Sequence, residues 1–159
     1  MASSTLTMRV EGGAELVKAL DRLPDKLLKR VVQGAVRKGA RRILSSAKGH
    51  LDKGHGIATG TYRRALTVRQ KTYRGQVVVA VVGAKRETST VVYQDPRPGR
   101  QPRERRENPA NISHLIEYGT VHAAAIPHLR PAFDTEGPAA GQLIKSEVEK
   151  NAGKLLDAS

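Results

Sequence analysis

The sequence predicts an α+β fold in a single domain: a small antiparallel sheet, a long helix packed across it and a second helix at the C-terminus. Three observations support this prediction. Residues 25–50 carry apolar side chains at helical spacing, residues 66–83 form two strand-like runs around a turn, and residues 138–156 repeat the helical spacing. A chain of 159 residues fits one domain and is long enough to bury a core.

The first part of the chain predicts a strand followed by a short helix. Thr5 to Val10 alternates apolar and polar residues, which is typical of a strand with one buried face. Glu11 to Gly13 interrupts this pattern, and Ala14 to Leu23 then places its leucines on one helical face. Pro24 ends the helix, because the residue before a proline is pushed away from helical geometry.

The strongest helical pattern runs from Asp25 to about His50. Its apolar residues fall on one side at about 100° per residue, and this side is the predicted buried face. That face consists of Leu28, Val32, Ala35, Val36, Gly39, Ile43 and Ala47.

Basic residues gather on the opposite side of this helix and again in a later segment. Lys26 to Lys48 includes eight basic residues and no acidic one, so no carboxylate of the same helix can neutralise them. Solvated basic helix faces are common, but an anionic partner would relieve the repulsion. Residues 86–111 add further arginines. The candidate contacts to DNA or to an acidic protein are Arg30, Arg37, Arg41, Lys48, Arg97, Arg100, Arg103, Arg105 and Arg106.

A glycine-rich loop and a hairpin follow the long helix. Residues 50–60 predict the loop, and Thr59 is placed to cap a short turn after it. Residues 66–73 alternate like a half-buried strand, whereas the valine-rich run 76–83 predicts a strand buried on both faces. Arg74-Gly75 is the predicted hairpin turn.

Residues 86–111 predict an exposed, flexible arm. The segment holds four prolines among arginines and glutamates, and from Asp95 onward it cannot bury enough apolar surface to order itself. Val91 to Tyr93 is the exception and predicts a short strand.

The stretch after the arm holds several special residues at defined spacing. His114 to Tyr118 predicts one or two helical turns, with Leu115 and Ile116 facing inward. Gly119 suits a left-handed residue that ends this helix, because it has no Cβ to clash. Thr120 can hydrogen-bond to the backbone of the following loop.

Two prolines stiffen the chain beyond this turn. Pro127 and Pro131 each fix φ and push Ile126 and Arg130 towards extended geometry, so an extended crossing is expected before the next helix. Glu117 is expected to pair with Arg130 or to cap the turn, and in either case to hold the loop.

The last segment, from about Pro138 to Leu156, predicts the C-terminal helix. From Phe133 to Asp157 there are five acidic and three basic residues, so the chain is basic in its first half and mildly acidic at its end. This asymmetry suggests the hypothesis that the C-terminal segment of one copy meets the basic helix of a neighbour. The apolar stripe of the helix is Leu143, Ile144, Val148 and Leu155.

Taken in order, these segments resemble a known family. Glu117-Tyr-Gly-Thr120 followed by Pro127-His-Leu-Arg-Pro-Ala132 resembles a signature of tailed-phage head–tail joining proteins, also called tail-completion or neck proteins, of lambda-like siphophages. His128 stands where that family has an aromatic residue. Further resemblance lies in Gly13–Leu20 with Leu23-Pro24, and in Thr59-Gly60 followed by Tyr62-Arg-Arg64. The resemblance runs in order from roughly Gly12 to Glu149. The signature residues are Glu117, Tyr118, Gly119, Thr120, Pro127, Leu129, Arg130, Pro131, Thr59 and Gly60.

The resemblance implies a non-enzymatic structural protein of the virion, with no cofactor. It implies a homo-oligomeric ring of sixfold or twelvefold symmetry between the head connector and the tail-tube or terminator proteins. Assembly in the host cytoplasm, with non-specific contact to genome DNA that threads the ring, is the corresponding expectation.

The sequence lacks the features that several other functions require. The chain has no cysteine, so disulfides and thiolate chemistry are excluded, and no apolar run approaches the roughly 20 residues needed to span a bilayer. His114, His122 and His128 lack the helical spacing and neighbouring carboxylate or thiolate of a metal site. No nucleophile elbow and no phosphate-binding glycine pattern occurs.

A non-specific DNA-binding protein is the rival hypothesis. The net charge of +13 predicts attraction to polyanions or to an acidic protein surface. Specific base recognition is disfavoured, because no helix-turn-helix, zinc-finger or interleaved aromatic pattern occurs. A small hydrolase that uses the histidines is a third and weaker alternative.

Overall fold

The computed structural model describes residues 25–52, 60–73, 77–93 and 99–156. The predicted α+β class is confirmed: a long helix packs on a two-stranded antiparallel sheet, with a second long helix at the C-terminus. None of the helices in these ranges combines the length and apolarity that crossing a membrane requires. The elements are α1 (Asp25–Asp52), α2 (Thr61–Ala65), β1 (Leu66–Thr72), β2 (Val78–Ala84), β3 (Ser89–Tyr93), β4 (Arg103–Glu107), α3 (Pro109–Tyr118) and α4 (Leu129–Leu156).

Several predicted features lie outside the described residues. They are the strand Thr5–Val10, the helix Ala14–Leu23, the cap at Thr59, the turn Arg74-Gly75 and Arg97.

Helices α1 and α4 pack along each other and form most of the core. Small residues line this contact, so the two backbones can approach closely: Ala47 of α1 packs with Ala132 and Ala140 of α4. An ideal Cβ on Gly39 would lie 2.6 Å from Ile144 Cγ1 and 3.1 Å from the Ala140 carbonyl oxygen. The predicted apolar face of α1 is therefore the contact face, and Val31 extends it by packing with Val148 of α4. Leu51, near the end of α1, packs instead with Tyr62 and Leu66.

The C-terminal helix begins at Leu129, well before the predicted start at Pro138. Pro138 lies inside the helix, and Pro131 lies in its first turn, where a backbone N–H has no intrahelical partner to lose. Arg130 is consequently helical, and the prediction of an extended residue there is wrong. The early start depends on Glu117, whose carboxylate caps α4 from another helix. The sequence pattern around residues 129–138 does not reveal this contact.

Strands β1 and β2 form the predicted hairpin, paired from Leu66 opposite Ala84 to Thr72 opposite Val78. One face of this hairpin packs on α1, as the contact of Val82 with the α1–α4 core shows. The prediction that the valine-rich strand is buried on both faces is wrong, since Val81 on the other face is 59% exposed. β-branched residues favour strands even on a face that is open to solvent. The valine run therefore indicates a strand but does not indicate that the strand is buried.

A second antiparallel hairpin, β3–β4, occupies much of the predicted arm. The short strand predicted at Val91–Tyr93 is confirmed within β3. Arg103–Glu107, predicted as loop, forms β4, which pairs with β3 from Ser89 opposite Glu107 to Tyr93 opposite Arg103. Backbone pairing does not require apolar side chains, so the polar composition did not prevent this strand. The flexibility of the arm remains a prediction.

Two glycines of α1 give a matched test of the α1–α4 packing. We expect Gly39→Ala to lower the free energy of unfolding by roughly 1–3 kcal/mol, because the new methyl group overlaps Ile144 at the helix contact. No heavy atom of the described residues lies near the ideal Cβ position of Gly34, so Gly34→Ala should raise the free energy of unfolding by up to about 1 kcal/mol through helix propensity. Urea unfolding followed by circular dichroism measures both, and equal effects of the two substitutions would contradict the packing.

Candidate functional site

The signature segment, Glu117–Ala132, begins in the last turn of helix α3. This helix starts earlier than predicted. Asn108 precedes it, and its side-chain oxygen accepts the Ala110 N–H at 3.2 Å, while Pro109 occupies the first turn. Because the helix starts at Pro109 and not at His114, Ile112 and Ile116 form its inner face. Leu115 is exposed, so its predicted inward orientation is wrong.

Gly119 ends α3 with a positive φ of 78°, as predicted. Its N–H donates to the Leu115 carbonyl at 2.8 Å. A Cβ at this position would lie 2.7 Å from the Ala125 nitrogen and 3.0 Å from the Ala123 oxygen. Glycine is thus required twice here, by the backbone angle and by the close return of the chain.

Thr120 closes the loop that follows. Its N–H donates to the Ala123 carbonyl at 2.8 Å, and its side-chain oxygen accepts the His122 N–H at 3.2 Å. The predicted hydrogen bond from Thr120 to the loop backbone is therefore present. Val121, at the tip of the loop, is 98% exposed.

The carboxylate of Glu117 connects the end of α3 to the start of α4. It accepts the backbone N–H groups of His128, Leu129 and Arg130 at 2.9, 3.0 and 3.0 Å. These donors belong to the first turn of α4, which has no intrahelical acceptors for them and carries the positive end of the helix dipole. Glu117 is therefore the N-terminal cap of α4.

Arg130 meets Glu117 through its backbone and not through its guanidinium group. That group instead lies over the ring of Tyr118, 5.7 Å from the ring centre. Of the two roles expected for Glu117, capping describes the structure and a side-chain ion pair with Arg130 does not.

Glu117 is a buried carboxylate that remains acidic. Burial by itself raises its pKa. The N–H groups of His128, Arg130 and Leu129 and the nearby imidazole of His128 lower the pKa by a larger amount, so the net pKa lies below the ordinary glutamate value. The ionised form is the one that the cap stabilises.

His128 is fully buried beside this cap. Its Nδ1 lies 3.0 Å from the Ile126 carbonyl oxygen and 2.9 Å from a Glu117 carboxylate oxygen, so Nδ1 carries a proton that these acceptors share. Its Nε2 lies 2.9 Å from the Tyr62 hydroxyl, which in turn lies 2.8 Å from Ser113 Oγ. One sign of this role was visible in the sequence, since His128 stands where the neck-protein family has an aromatic residue.

Tyr62 reaches this cluster from the short helix α2. Gly60, at φ 66°, precedes α2, and its carbonyl accepts the Arg64 N–H at 3.0 Å. The Tyr62 ring meets the His128 ring edge to face, with 5.4 Å between their centres. Burial raises the pKa of the Tyr62 hydroxyl, its hydrogen bond with Ser113 lowers it, and the charge of Glu117 raises it again, with a net upward shift. The family resemblance included Tyr62, which follows Thr59-Gly60, but the sequence assigned no role to it, and Ser113 was missed.

Comparison with known families places the chain. Residues 14–119, two thirds of its length, match the family described as "Bacteriophage HK97-gp10, putative tail-component". The chain belongs to the HK97-gp10-like family. It is thus a phage tail-related structural protein, found in the virion with other virion proteins. The comparisons found no matching curated protein and no matching solved structure.

The signature residues of this HK97-gp10-like chain converge only in part. Gly60 precedes α2, and Tyr62 of α2 contacts His128, beside Glu117 and the start of α4. Tyr118 and Pro127, by contrast, are exposed to solvent. The family match ends at Gly119, so Thr120 and the segment Pro127–Ala132 lie beyond it.

The candidate cationic contacts do not form one site. Arg30 and Arg41 are exposed on α1, while Arg37 Nε donates to Gln70 Oε1 at 3.0 Å and so holds α1 on β1. Lys48 is partly buried. Arg100, Arg103 and Arg106 are exposed in and beside the β3–β4 hairpin, which also includes Arg105.

Acidic residues of α4 already pair with α1 of the same chain. Lys38 Nζ lies 2.6 Å from Glu147 Oε2, and Arg42 bonds Glu136. These contacts are intramolecular, and the hypothesis that the C-terminal segment meets a neighbouring copy stays a prediction.

The three histidines of the signature region differ in their exposure to solvent. His114 and His122 are exposed, whereas His128 is buried and bonded at both ring nitrogens. Within the described ranges, no group of three His, Cys, Asp or Glu side chains is placed to hold a metal ion. In the Glu117–His128–Tyr62 cluster the His128 ring is fully enclosed, and both of its ring nitrogens have partners within the protein.

The Glu117 cap predicts a defined dependence of stability on pH. The folded-state pKa is lowered, so the cap contributes its full stability above the ordinary carboxylate pKa and loses it as pH falls through the folded-state pKa. We expect Glu117→Gln to lower the free energy of unfolding by about 2 kcal/mol near pH 7. The difference from the natural chain should shrink below pH 4.5, the ordinary glutamate value. Urea unfolding from pH 7 to pH 3 measures this.

Glu149→Gln is the control for that measurement, because Glu149 is exposed on α4. We expect it to change the free energy of unfolding by less than about 0.5 kcal/mol. Equal stabilities of the Glu117→Gln and Glu149→Gln variants at pH 7 would refute the cap.

Gly119 can be compared with Gly99, a second glycine with positive φ. Gly119→Ala should cost at least about 2 kcal/mol, because backbone strain adds to overlap with Ala125. Gly99 has a φ of 80°, but no atom of the described part of the chain lies near its Cβ position, so Gly99→Ala should cost only the strain, roughly 1 kcal/mol. Thermal unfolding ranks the two, and a Gly119→Ala protein as stable as Gly99→Ala would contradict the close return of the chain.

Proposed function

We propose that the chain is a structural protein of the phage neck that forms a ring joining the head connector to the tail. Its membership of a phage tail-component family supports a place in the virion near the tail. The observation that carries the proposal is the buried cap of Glu117, which fixes the angle between α3 and α4 and makes the signature segment a rigid corner. Shape, and not chemistry, is the product of these residues, so the protein works without catalysis and without a cofactor.

The outer side of this corner supports a contact role. Tyr118 and Val121 are exposed there, Val121 almost completely, on a loop that Gly119 and Thr120 hold in place. Rigid apolar side chains lose little entropy on contact, which suits a repeated interface. A ring needs such an interface between unlike surfaces of identical copies. Sixfold or twelvefold symmetry, with the head connector and the tail-tube or terminator proteins as neighbours, belongs to this proposal.

The proposal also includes where the ring is made and what passes through it. Assembly takes place in the host cytoplasm, and genome DNA passes through the ring with non-specific contacts to its arginines and lysines. The net charge of +13 supports such contact.

A substitution at the loop tip tests the joining role. In a phage lacking this chain, we expect DNA-filled heads and tails to accumulate separately, and the natural chain supplied in trans to restore joined particles in electron micrographs. Val121→Asp should reduce joining and infectivity at least tenfold without lowering the melting temperature, because it places a charge in an interface without touching the core. Val92→Asp, at another exposed valine that is 56% exposed, is the matched control.

Two results would refute the joining role. One is normal joining in the absence of the chain, and the other is absence of the chain from purified virions.

Non-specific DNA binding is the second candidate, favoured by the exposed cations Arg30, Arg41 and Arg103. A free-standing DNA binder should lose affinity log-linearly and steeply with salt, whereas a neck protein should keep its stoichiometry on particles across the same range. Filter binding to duplex DNA between about 50 and 200 mM salt, beside pelleting with virion particles, separates the two.

A further inference from the structure

The outer face of the β1–β2 hairpin has no role in the proposed joining corner. Helix α1 covers the other face, and the alternation of side chains leaves Val77, Val79 and Val81 55, 36 and 59% exposed in one row. In the strand register, Val81 lies opposite Arg69 and Val79 lies opposite Lys71. This face therefore sets a row of valines beside a row of cations.

The cations of this face are available to a partner. Arg69 and Lys71 are exposed and make no ion pair with any residue that the structure describes. Lys71 Nζ lies 4.9 Å from the centre of the Tyr73 ring, a contact that involves no carboxylate. Carboxylates of a partner can approach both groups without breaking an existing ion pair.

The combination of side chains selects a protein over a nucleic acid. A protein surface with apolar residues flanked by carboxylates would cover the valines and match both charges. DNA would meet the two cations but gain nothing from the three valines, and Tyr73 alone offers little base stacking.

A second copy of this chain fits the face poorly. The chain carries 28 basic and 15 acidic residues, so two copies repel each other overall. Several of its carboxylates are already engaged: Glu136 and Glu147 pair with α1, and Glu117 is buried in its cap. The best match is a different protein of acidic character.

We propose that the outer face of the β1–β2 hairpin docks another virion protein through an apolar surface flanked by carboxylates. This inference rests on the proposed place of the chain in the virion. It adds a second contact surface, distinct from the corner at Gly119, and it assigns that surface to a partner of opposite charge.

Zero-length carbodiimide crosslinking of intact virions tests the docking directly, because the reagent joins a lysine amine to a carboxylate in contact with it. We expect mass spectrometry to find Lys71 joined to an Asp or Glu of a different virion protein. A crosslink from Lys71 to a second copy of this chain would overturn the proposal, as would its absence while other exposed lysines crosslink.

Substitutions test the same face by affinity. The variant Val77→Thr/Val79→Thr/Val81→Thr keeps β-branched side chains and hence strand propensity, while Arg69→Glu/Lys71→Glu reverses the charge. Separate DNA-filled heads and tails, purified from phage grown without this chain, are the probes in a pelleting assay. We expect each variant to bind its particle roughly tenfold or more weakly than the natural chain. Val92→Thr and Lys154→Glu, at exposed positions elsewhere, should bind like the natural chain.

The outcomes separate this inference from the proposed function. If the natural chain pellets with neither particle and is missing from virions, the proposed function fails. If it pellets and both variants pellet equally well, only the docking face fails. Variants that lose affinity for naked duplex DNA but not for particles also overturn the docking face. The crosslinking experiment uses the natural chain, so it tests the docking face even if one of the variants does not fold.

Discussion

The fold around the signature segment depends on one carboxylate. Glu117, in the last turn of α3, accepts three successive backbone N–H groups at the start of α4. Without it these donors would be buried or half-buried with no acceptor, and the helix would lose the anion that its dipole favours. The distance along the chain is eleven residues to His128, so the loop between them has to return closely. Gly119 makes that return possible, which is why the two residues form one structural device.

The cap is tied to the rest of the molecule on both sides. His128 connects it to Tyr62 and Ser113, so α2 and α3 share the same hydrogen-bonded cluster. Helix α4 carries the other side into the core, where small residues pack it against α1. A shift at the corner would therefore have to displace the long helix pair. This linkage explains how a short surface loop can keep a fixed shape.

Features with local causes could be predicted from the sequence, and features with distant causes could not. The long helix, the first hairpin and the positive φ of Gly119 follow from periodicity and backbone sterics within a few residues. The start of α4 depends on Glu117, and the burial of His128 depends on Tyr62, 66 residues earlier in the chain. Strand β4 had no apolar signal at all, because it pairs through its backbone. Half of the site was visible as a signature, but its logic, a side chain capping a remote helix, was not.

The distribution of charge constrains how such a subunit assembles. The fold uses acidic residues internally: Glu117 caps a helix, and Glu136 and Glu147 hold α4 on α1. Exposed cations lie on α1, on β1 and on the second hairpin of the described chain. In the proposed ring, identical copies would repel one another through these groups, so ring closure would be opposed unless an anionic surface compensated the charge. Under that proposal, an acidic neighbouring protein or DNA threading the ring would supply the compensation, so electrostatics as well as shape would favour assembly on a template.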